Sequence, residues 1–503
     1  MKGIRQVQWW LPLAALLLFT SPAQAQAPAN PAVSVSADVK KLNFWWNHVA
    51  GATRYELWFR ATSDADWVKY AVLPGTRTSY AVNISVHLLN WQRAFYMLKA
   101  CNTSGCGRSP HLFVSHLMQQ TVGMVGLSQG GATDISEDGL TLAATAGPAV
   151  EVFRKSSTGW AREAVLRGDP LGPVILYAPQ PSVSVSGNGN VIALGVDAET
   201  PAGVDPENVP RVGAVYLFRR TSNGWARERK LNFSPAVAED AFGLHLDLDE
   251  SGTVLAAWRR FGDPPYQDPG PWAHQGTVEL FKYSAGAWVR QTPIRSDGCD
   301  VMRLSGDGNT LVFSCGDVVE VATAPTWQRV ARLPNRVDLA NEYTEGVRTI
   351  AVSHDGRSFA LRSLAYDGEL SSFVASVNVF RLGSAGWARE AMLLPGPWES
   401  QDFEGATYGL NIALNRDGRF LAVGAPDDNA AGEGAVYPPI TRGGTHRGAV
   451  YVYERKPGGW SLRQFLKPNA SASSSISGPL AFGRNGKDLA IGSYYGGPVI
   501  SLY

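Results

Sequence analysis

The sequence predicts an all-β protein in which an N-terminal β-sandwich is followed by a seven-bladed β-propeller. The first reason is composition: the 503 residues include 53 glycines, 31 prolines, 16 tryptophans and 17 tyrosines, which is typical of many short strands joined by turns. The second reason is a strand pattern that recurs seven times in the second part of the chain. We therefore expect a signal peptide at 1–25, a sandwich domain at 33–114 and a propeller at 115–503.

The N-terminus has the three-part layout of a secretory signal peptide. Lys2 and Arg5 precede an apolar run over residues 9–19, and small residues follow at 21–25. The run is shorter than the roughly 20 residues that a membrane-spanning helix needs. We expect cleavage after Ala25, no membrane span, and a secreted or periplasmic protein that is a monomer. Because 45 basic residues nearly balance 44 acidic ones, no nucleic-acid partner is expected.

The four cysteines form two close pairs without a histidine at metal-ligand spacing. Cys299 and Cys315 flank an Asp-Gly turn symmetrically, so a hairpin at this turn would place them opposite each other. Cys101 and Cys106 bracket a second turn in the same manner. We predict the disulfides Cys101–Cys106 and Cys299–Cys315, which suit an oxidising compartment.

Residues 33–114 contain short strands with alternating apolar positions. The most specific features are a tryptophan pair, two turn-bounded segments and a C-terminal run: Trp45-Trp46, residues 51–57 and 75–80, and Tyr96-x-Leu98-x-Ala100-x-Asn102-x-x-Gly105. Together they resemble a fibronectin type III domain. The resemblance implies that Trp45 or Trp46 and Tyr96 belong to the core, and that the module is a spacer or an interaction domain.

Each of the seven copies contains a tight turn between two apolar strands. The turns lie at residues 136–139, 186–189, 249–252, 305–308, 353–356, 415–418 and 483–486. Their Asp-Gly, Asn-Gly and Ser-Gly pairs supply the positive backbone angles that a hairpin requires. A third apolar strand follows each turn, and a fourth strand completes the copy, as in a propeller blade.

The fourth strand of six copies pairs a tryptophan with a large aliphatic residue six positions later. These pairs are Trp160/Leu166, Trp225/Leu231, Trp288/Ile294, Trp327/Leu333, Trp387/Leu393 and Trp460/Leu466. The spacing predicts that both members lie on one face of the strand, and that the tryptophans pack between blades. The seventh copy ends after its third strand. We predict that residues 115–127 supply the missing fourth strand and so remove an exposed edge.

Several repeat segments resemble the FG-GAP repeats of integrin α-chain propellers and their bacterial relatives. The resemblance rests on Phe242-Gly243, Gly424-Ala425-Pro426 and the Gly-Ala-Val-Tyr segments at 213–216 and 448–451. In that family calcium lies in an acidic loop between the first two strands, to which residues 134–139 and 247–252 correspond most closely. Both turns are too short for the six or more oxygen ligands of calcium, so we expect no metal and no cofactor.

None of the candidate catalytic motifs lies in the sequence context that its chemistry requires. Residues 126–130 match the letters of a hydrolase nucleophile elbow, but no helix follows Ser128. The eight histidines show no metal-binding spacing, and the turns lack the Trp of sialidase-type boxes. The chain is therefore interpreted as a non-catalytic protein.

The remaining functional signal is a set of long loops between the second and third strands, at 197–211, 260–275, 363–376 and 427–447. In a propeller these loops share one face, which predicts a binding or adhesion surface for a protein or glycan partner. The candidate contact residues are Tyr266, Trp272, Asp427, Asp428 and Tyr437. Two alternatives stay open: solvated loops without a ligand, and a secreted hydrolase or lyase that acts on polysaccharide with acids in the central funnel.

Overall fold

The computed structural model describes residues 26–38, 41–61, 63–84, 94–114, 117, 123–126, 132–147, 149–156, 159–169, 181–199, 212–233, 240–260, 276–296, 299–315, 318–334, 344–345, 349–367, 372–395, 407–428, 434–436, 448–467, 475–483, 486, 488–495 and 499–502. Its named elements are all β-strands, arranged in nine small antiparallel sheets, which confirms the all-β class. Within these residues no helix has the length and apolar character needed to cross a bilayer. The predicted signal peptide lies outside the described residues.

Eight strands form two sheets near the N-terminus. They are β1 (Val33–Asp38), β2 (Lys41–Trp46), β3 (Arg54–Arg60), β4 (Val68–Pro74), β5 (Ser79–Asn83), β6 (Phe95–Asn102), β7 (Gly105–Arg108) and β8 (Leu112–Phe113). The first sheet has the order β1-β2-β5, and the second has the order β4-β3-β6-β7 with β8 paired to β6. Side chains of both sheets belong to one buried apolar cluster.

The core of these two sheets is aromatic. Trp46 is 4% exposed and its ring lies 5.2 Å from that of Tyr55, whereas Trp45 is 46% exposed. Tyr96 is buried against Phe44 at a ring distance of 5.0 Å. The period of two along β2 explains the difference, because neighbouring residues of a strand face opposite sides. Trp46 and Tyr96 are therefore core residues.

The rest of the described chain forms seven sheets, numbered here in chain order. Sheet 1 contains β10 (Thr133–Ile135), β11 (Thr141–Ala146), β12 (Ala149–Ser156) and β13 (Gly159–Arg167). Sheet 2 contains β14 (Ser182–Val185), β15 (Val191–Val196), β16 (Ala214–Thr221) and β17 (Gly224–Leu231). Sheet 3 contains β18 (Leu246–Leu248), β19 (Val254–Arg260), β20 (Gly276–Ser284), β21 (Ala287–Arg290) and β22 (Ile294–Arg295). Sheet 4 contains β23 (Cys299–Leu304), β24 (Thr310–Cys315), β25 (Val318–Thr323) and β26 (Gln328–Pro334).

The last three sheets follow the same plan. Sheet 5 contains β27 (Thr344–Glu345), β28 (Ile350–Val352), β29 (Ser358–Asp367), β30 (Ser372–Gly383) and β31 (Gly386–Leu393). Sheet 6 contains β32 (Asn411–Leu414), β33 (Phe420–Ala425), β34 (Gly434–Val436), β35 (Ala449–Lys456) and β36 (Gly459–Lys467). Sheet 7 contains β37 (Ser475–Phe482), β38 (Leu489–Tyr495), β39 (Val499–Leu502) and β9 (Gly123–Gly126).

Sheet 7 unites two distant parts of the chain. Val499 pairs with Gly126 and Leu502 pairs with Gly123 in an antiparallel ladder. This is the pairing predicted from the missing fourth strand of the seventh copy, and β9 covers the edge that β39 would otherwise expose.

The innermost strands of the seven sheets contact one another in sequence. Contacts join β10, β14, β18, β23, β28, β32 and β37 in that order, and β37 also contacts β10. Backbone hydrogen bonds link successive turns, for example from the N–H of Asp138 to Gly187 O at 3.2 Å and from the N–H of His354 to Arg416 O at 2.9 Å. The seven sheets therefore form a closed circle of contacts.

The predicted turns are present in all seven sheets. The final glycine of each turn has a φ between 63 and 70°, a left-handed conformation that glycine adopts without steric cost. In the first turn, Ser136 Oγ donates to Asp138 Oδ1 and accepts the N–H of Thr141 at 2.9 Å. Two of the acidic residues in the segments that the FG-GAP resemblance suggested for calcium, Asp138 and Asp249, thus close their own turns.

Both predicted disulfides are present, Cys101–Cys106 and Cys299–Cys315. Cys299 is directly opposite Cys315 in the register of β23 and β24, as the symmetry about the Asp307-Gly308 turn predicts. Each bridge therefore joins neighbouring strands of one hairpin.

The fourth-strand tryptophans lie between sheets, but the prediction that each shares a face with its aliphatic partner is wrong. In sheet 2, Trp225 pairs with Arg220 and Leu231 pairs with Val215, and a bulge at Glu228 separates them. The bulge adds one residue and reverses the face. Trp225 accordingly packs with Val150 and other residues of sheet 1, whereas Leu231 packs against sheet 3.

The bulge places a glutamate where the tryptophan of the next sheet can bind it. The indole N–H of Trp225 donates to Glu163 of sheet 1 at 3.2 Å, and that of Trp288 donates to Glu228 of sheet 2 at 2.9 Å. Trp460 donates in the same way to Glu390 of sheet 5 at 3.0 Å. A Trp-x-x-Glu sequence therefore predicts a hydrogen bond to the next sheet, here called the inter-sheet latch.

Candidate functional site

The seven innermost strands enclose a central cavity of about 200 Å³. Each strand contributes the residue two positions before its turn. These seven residues are Asp134, Ser184, Asp247, Arg303, Ala351, Ala413 and Ala481. Sheets 1 to 4 thus give the cavity a polar wall and sheets 5 to 7 give it a wall of small apolar residues.

The two aspartates of the polar wall brace neighbouring strands. Asp134 accepts the N–H of Val185 from the adjacent sheet at 2.7 Å, and Asp247 accepts the N–H of Leu304 at 2.9 Å. Burial in the cavity raises the pKa of Asp134 to about 7, and the negative charge of Asp247 contributes to the rise. Burial likewise raises the pKa of Asp247. Proximity to a second carboxylate and desolvation both favour the protonated acid.

Arg303 is the cation of this wall. Its side chain is exposed to solvent in the cavity, and its charge acts on both Asp134 and Asp247. Within the described part of the chain it forms no hydrogen bond or ion pair. Nearby, burial lowers the pKa of His245 to about 4, and the positive charge of Arg303 adds to this effect. His245 is therefore neutral at neutral pH.

A second cluster lies at the end of the cavity where the turns meet. Its four members are each the second residue of a turn. Arg416 of sheet 6 contacts the carboxylates of Glu137 and Glu250, and its guanidinium lies 2.9 Å from His354 Nε2. His354 Nδ1 lies 3.0 Å from Glu250. We call these four residues the turn-end cluster. It joins sheets 1, 3, 5 and 6 across the centre of the circle.

The turn-end cluster also contains a possible set of metal ligands. Oxygen and nitrogen atoms of Glu137, Glu250 and His354 lie within 4.8 Å of one another. However, one nitrogen of Arg416 contacts both carboxylates, so a guanidinium already supplies the positive charge between them. The chemistry of this cluster is that of an internal ion-pair network.

Of the five predicted contact residues, the structure describes two. Asp427 is half-buried, and its backbone N–H donates to Thr407 Oγ1 at 3.1 Å. Asp428 is 0% exposed, so it belongs to the interior and not to the contact surface for which it was proposed. Tyr266, Trp272 and Tyr437 lie outside the described residues.

The buried partner of Asp428 is Lys467, which is also 0% exposed. Its ammonium group donates to Asp428 Oδ1 at 3.3 Å and to the backbone oxygen of Asp428 at 3.0 Å. Tyr451 donates its hydroxyl to the second carboxylate oxygen at 2.6 Å. Sheet 2 repeats the arrangement with Glu199, Tyr216 and Lys230. The start of a long loop is thus tied to two outer strands of its own sheet.

Sequence reasoning missed both central clusters. Asp134 and Asp247 were considered only as ligands in a calcium turn, and Arg303 was not singled out. The available signal was the position two residues before each turn, which is alanine in three copies and charged in three others. Aligning the seven copies on their turns shows this contrast between alanine and charged residues directly.

Comparisons with known proteins give no family. No protein-family model matches the sequence, and no curated protein matches it. Among solved structures, the chain is similar to two proteins described as "putative 6-phosphogluconolactonase", from Bacteroides fragilis and Bacteroides uniformis. Each is 11% identical with a TM-score of 0.41, and the alignments cover 83% of this chain and 96% and 97% of the two other chains.

The raised pKa of Asp134 predicts a pH-dependent stability difference between Asp134→Asn and the unchanged protein. The folded state keeps the Asp134 proton up to about pH 7, whereas the unfolded chain loses it near pH 4, so this group's stabilising contribution falls as pH rises between these values. The asparagine does not titrate. From pH 5 to pH 8, the free energy of unfolding should therefore shift in favour of the variant by roughly 2–3 kcal/mol. A parallel shift in the exposed control Asp66→Asn would contradict this assignment.

Loss of Arg416 should destabilise the circle of sheets. Arg416→Gln leaves Glu137 and Glu250 facing each other without the guanidinium. We expect a loss of about 1–3 kcal/mol at pH 7 by chemical denaturation. The additional change Glu137→Gln should restore part of the stability at pH 7. An equal loss in the single and the double variant would exclude charge repulsion as the cause.

Proposed function

We propose that this chain is an exported, non-catalytic binding protein that presents a ligand-binding face on a seven-bladed β-propeller. In this proposal residues 33–114 form a fibronectin type III-like sandwich and residues 115–503 form an FG-GAP-like propeller. Support comes from the seven four- or five-stranded sheets, whose innermost strands contact one another in a closed circle. Support for export comes from the two disulfides, which form in oxidising compartments.

The observation that carries the binding role is the common origin of the long loops. In three sheets the second and third strands pair close to the loop: Val196 with Ala214, Arg260 with Gly276, and Ala425 with Ala449. In sheet 5 the ladder continues to Asp367 and Ser372, so the prediction of a long loop at 363–376 is wrong and most of these residues belong to paired strands. Insertions therefore leave different sheets from the same end. Insertions collected on one side of a rigid scaffold are the usual way in which such folds bind partners.

The ends of these loops are held by buried ionic groups. Asp428 and Lys467 secure the loop of sheet 6, and Arg259 donates to Asp240 at 2.7 Å beside the loop of sheet 3. A loop that starts from a fixed end loses less conformational entropy on binding than one that starts from a mobile end. The ligand on this face is proposed to be a protein or a glycan.

The alternative function is that of a hydrolase or lyase that acts on polysaccharide. The acidic residues of the central cavity are the candidate catalytic residues for it. Asp134 and Asp247 each accept a backbone N–H from the adjacent sheet. Carboxylates with this bracing role are part of the scaffold, which favours binding over catalysis as the function of the chain.

The test is a loop replacement that spares the buried anchor. Residues 437–447 are replaced by a short Gly/Ser linker while Asp428 and β34 are kept, because Asp428 neutralises Lys467 and β34 pairs with β36. Purified protein is used to capture partners from cell-envelope protein extracts and, separately, from glycan extracts. We expect capture by the unchanged chain and its loss in the variant.

The control replaces Pro457 and Gly458 in the turn between β35 and β36, at the opposite end of sheet 6. Capture should survive this change. Equal capture by the loop variant would refute the loop face. Release of products from polysaccharide substrates by the unchanged chain would support the hydrolase or lyase instead.

A further inference from the structure

The central cavity has the properties of a small-molecule site that is separate from the loop face. It is about 200 Å³ in volume, below the range of pockets for drug-sized ligands. Solvent reaches its polar wall, since Arg303 is exposed and Asp134 and Asp247 are partly exposed. The small side chains of Ala351, Ala413 and Ala481 line the opposite wall. The cavity therefore suits a compact, polar ligand.

The charged residues that line the cavity restrict which charges a ligand can carry. Four acidic residues, two arginines and His354 line the cavity. Within the turn-end cluster, Arg416 pairs with both glutamates. The charges that remain for a ligand are the two aspartates and Arg303. A ligand that matches both signs must carry a cationic and an anionic group.

The order of these residues around the wall sets the orientation of such a ligand. Asp134, Asp247 and Arg303 come from sheets 1, 3 and 4, and Asp247 accepts the N–H of the residue that follows Arg303. Asp134 and Asp247 repel each other electrostatically, and this repulsion helps to raise the pKa of Asp134 to about 7. A cation between the two carboxylates would relieve the repulsion.

We propose that the cavity binds a small amine carboxylate, with its ammonium group between Asp134 and Asp247 and its carboxylate on the guanidinium of Arg303. The chemical class is that of an amino acid, either α or ω. Planar guanidinium groups bind carboxylates through two parallel hydrogen bonds, and ammonium groups donate to carboxylates in the same charge-assisted manner.

Other ligand classes fit the lining less well. A dicarboxylate would place its second negative charge beside Asp134 or Asp247, and a diamine would place its second positive charge beside Arg303. In the described part of the chain, the one group of acids and histidine close enough to share a metal ion is Glu137, Glu250 and His354, where Arg416 already lies between the carboxylates.

Isothermal titration calorimetry of the full chain tests the proposal with a charge series. The probes are glycine, 4-aminobutanoate and 5-aminopentanoate, compared with pentane-1,5-diamine, glutarate and glucose. We expect at least one amine carboxylate to bind more tightly than the three comparison compounds. Arg303→Ala should weaken that binding by at least about tenfold, as expected for loss of a charged hydrogen-bonding partner, and should shift the preference toward the diamine.

Two further readouts distinguish the site from a structural effect. Titrations at pH 7 in two buffers of different ionisation enthalpy should show proton release on binding, because the ammonium group lowers the pKa of Asp134, and Asp134→Asn should abolish the release. The matched control is Arg332→Ala, whose side chain is 71% exposed on the outer strand of sheet 4 and should leave affinity unchanged. The proposal is overturned if no amine carboxylate binds at millimolar concentration, if a comparison compound binds equally well, or if Arg303→Ala retains full affinity with an unchanged melting temperature.

Discussion

Replacing Lys467 by methionine is expected to lower the free energy of unfolding by about 3–5 kcal/mol. Methionine fills a similar volume but leaves Asp428, which is 0% exposed, without the ammonium group that neutralises it. Removing one member of a buried ion pair is costly because the remaining charge is desolvated and unpaired. Urea denaturation at pH 7 measures the effect.

The second half of this test removes the other charge. The double variant Lys467→Met with Asp428→Leu should recover most of the loss, since replacing both members of a buried pair by apolar groups is often close to neutral. Lys456→Met is the control: this lysine is 53% exposed and lies 3.8 Å from Glu454, so a change below about 1 kcal/mol is expected. Similar losses for Lys456 and Lys467 would show that burial is not the cause.

Replacing Trp288 by alanine is expected to destabilise the protein by about 3–5 kcal/mol. Trp288 is 8% exposed between sheets 2 and 3, and its indole N–H donates to Glu228 at 2.9 Å. The change creates a cavity between two sheets and also leaves Glu228 without one of its donors. Thermal and denaturant unfolding at neutral pH measure the loss.

A double-mutant cycle separates the inter-sheet latch from packing. Trp288→Phe keeps an aromatic ring but removes the donor, and Glu228→Met removes the acceptor. We expect a coupling energy of about 1–2 kcal/mol between the two changes. Trp45→Ala, at a tryptophan that is 46% exposed, should cost much less than Trp288→Ala. Additive effects at Trp288 and Glu228 would mean that the hydrogen bond contributes nothing beyond packing.

The sequence predicted features that local chemistry determines. A glycine at the end of each turn specifies a left-handed conformation, so the seven hairpins could be placed from the letters alone. The symmetry of Cys299 and Cys315 about their turn gave the disulfide, because hairpin register follows from turn position. The pairing of β39 with β9 could be predicted because a missing strand leaves a countable gap in a repeat.

Features that depend on the meeting of separate strands could not be predicted in this way. The bulge at Glu228 reverses the face of Leu231 relative to Trp225, and a bulge carries no composition signal of its own. Asp428 was predicted to be a contact residue because it lies in the sequence segment 427–447, which was interpreted as a long loop. Its burial depends on Lys467, which lies on β36, later in the chain than the loop. The central cavity required the circular order of strands that are far apart in sequence.

The ladder between β9 and β39 also has a consequence for how the chain is made. Synthesis releases Gly123–Gly126 long before Val499–Leu502, so sheet 7 must wait for the last of its strands. Pairings at such separation are slow to form, since the closure of a long loop precedes any gain from contacts. Until β39 has been made, β9 has no partner strand and the outer edge of β38 is exposed. Sheet 7 is therefore expected to be the last sheet of the circle to be completed.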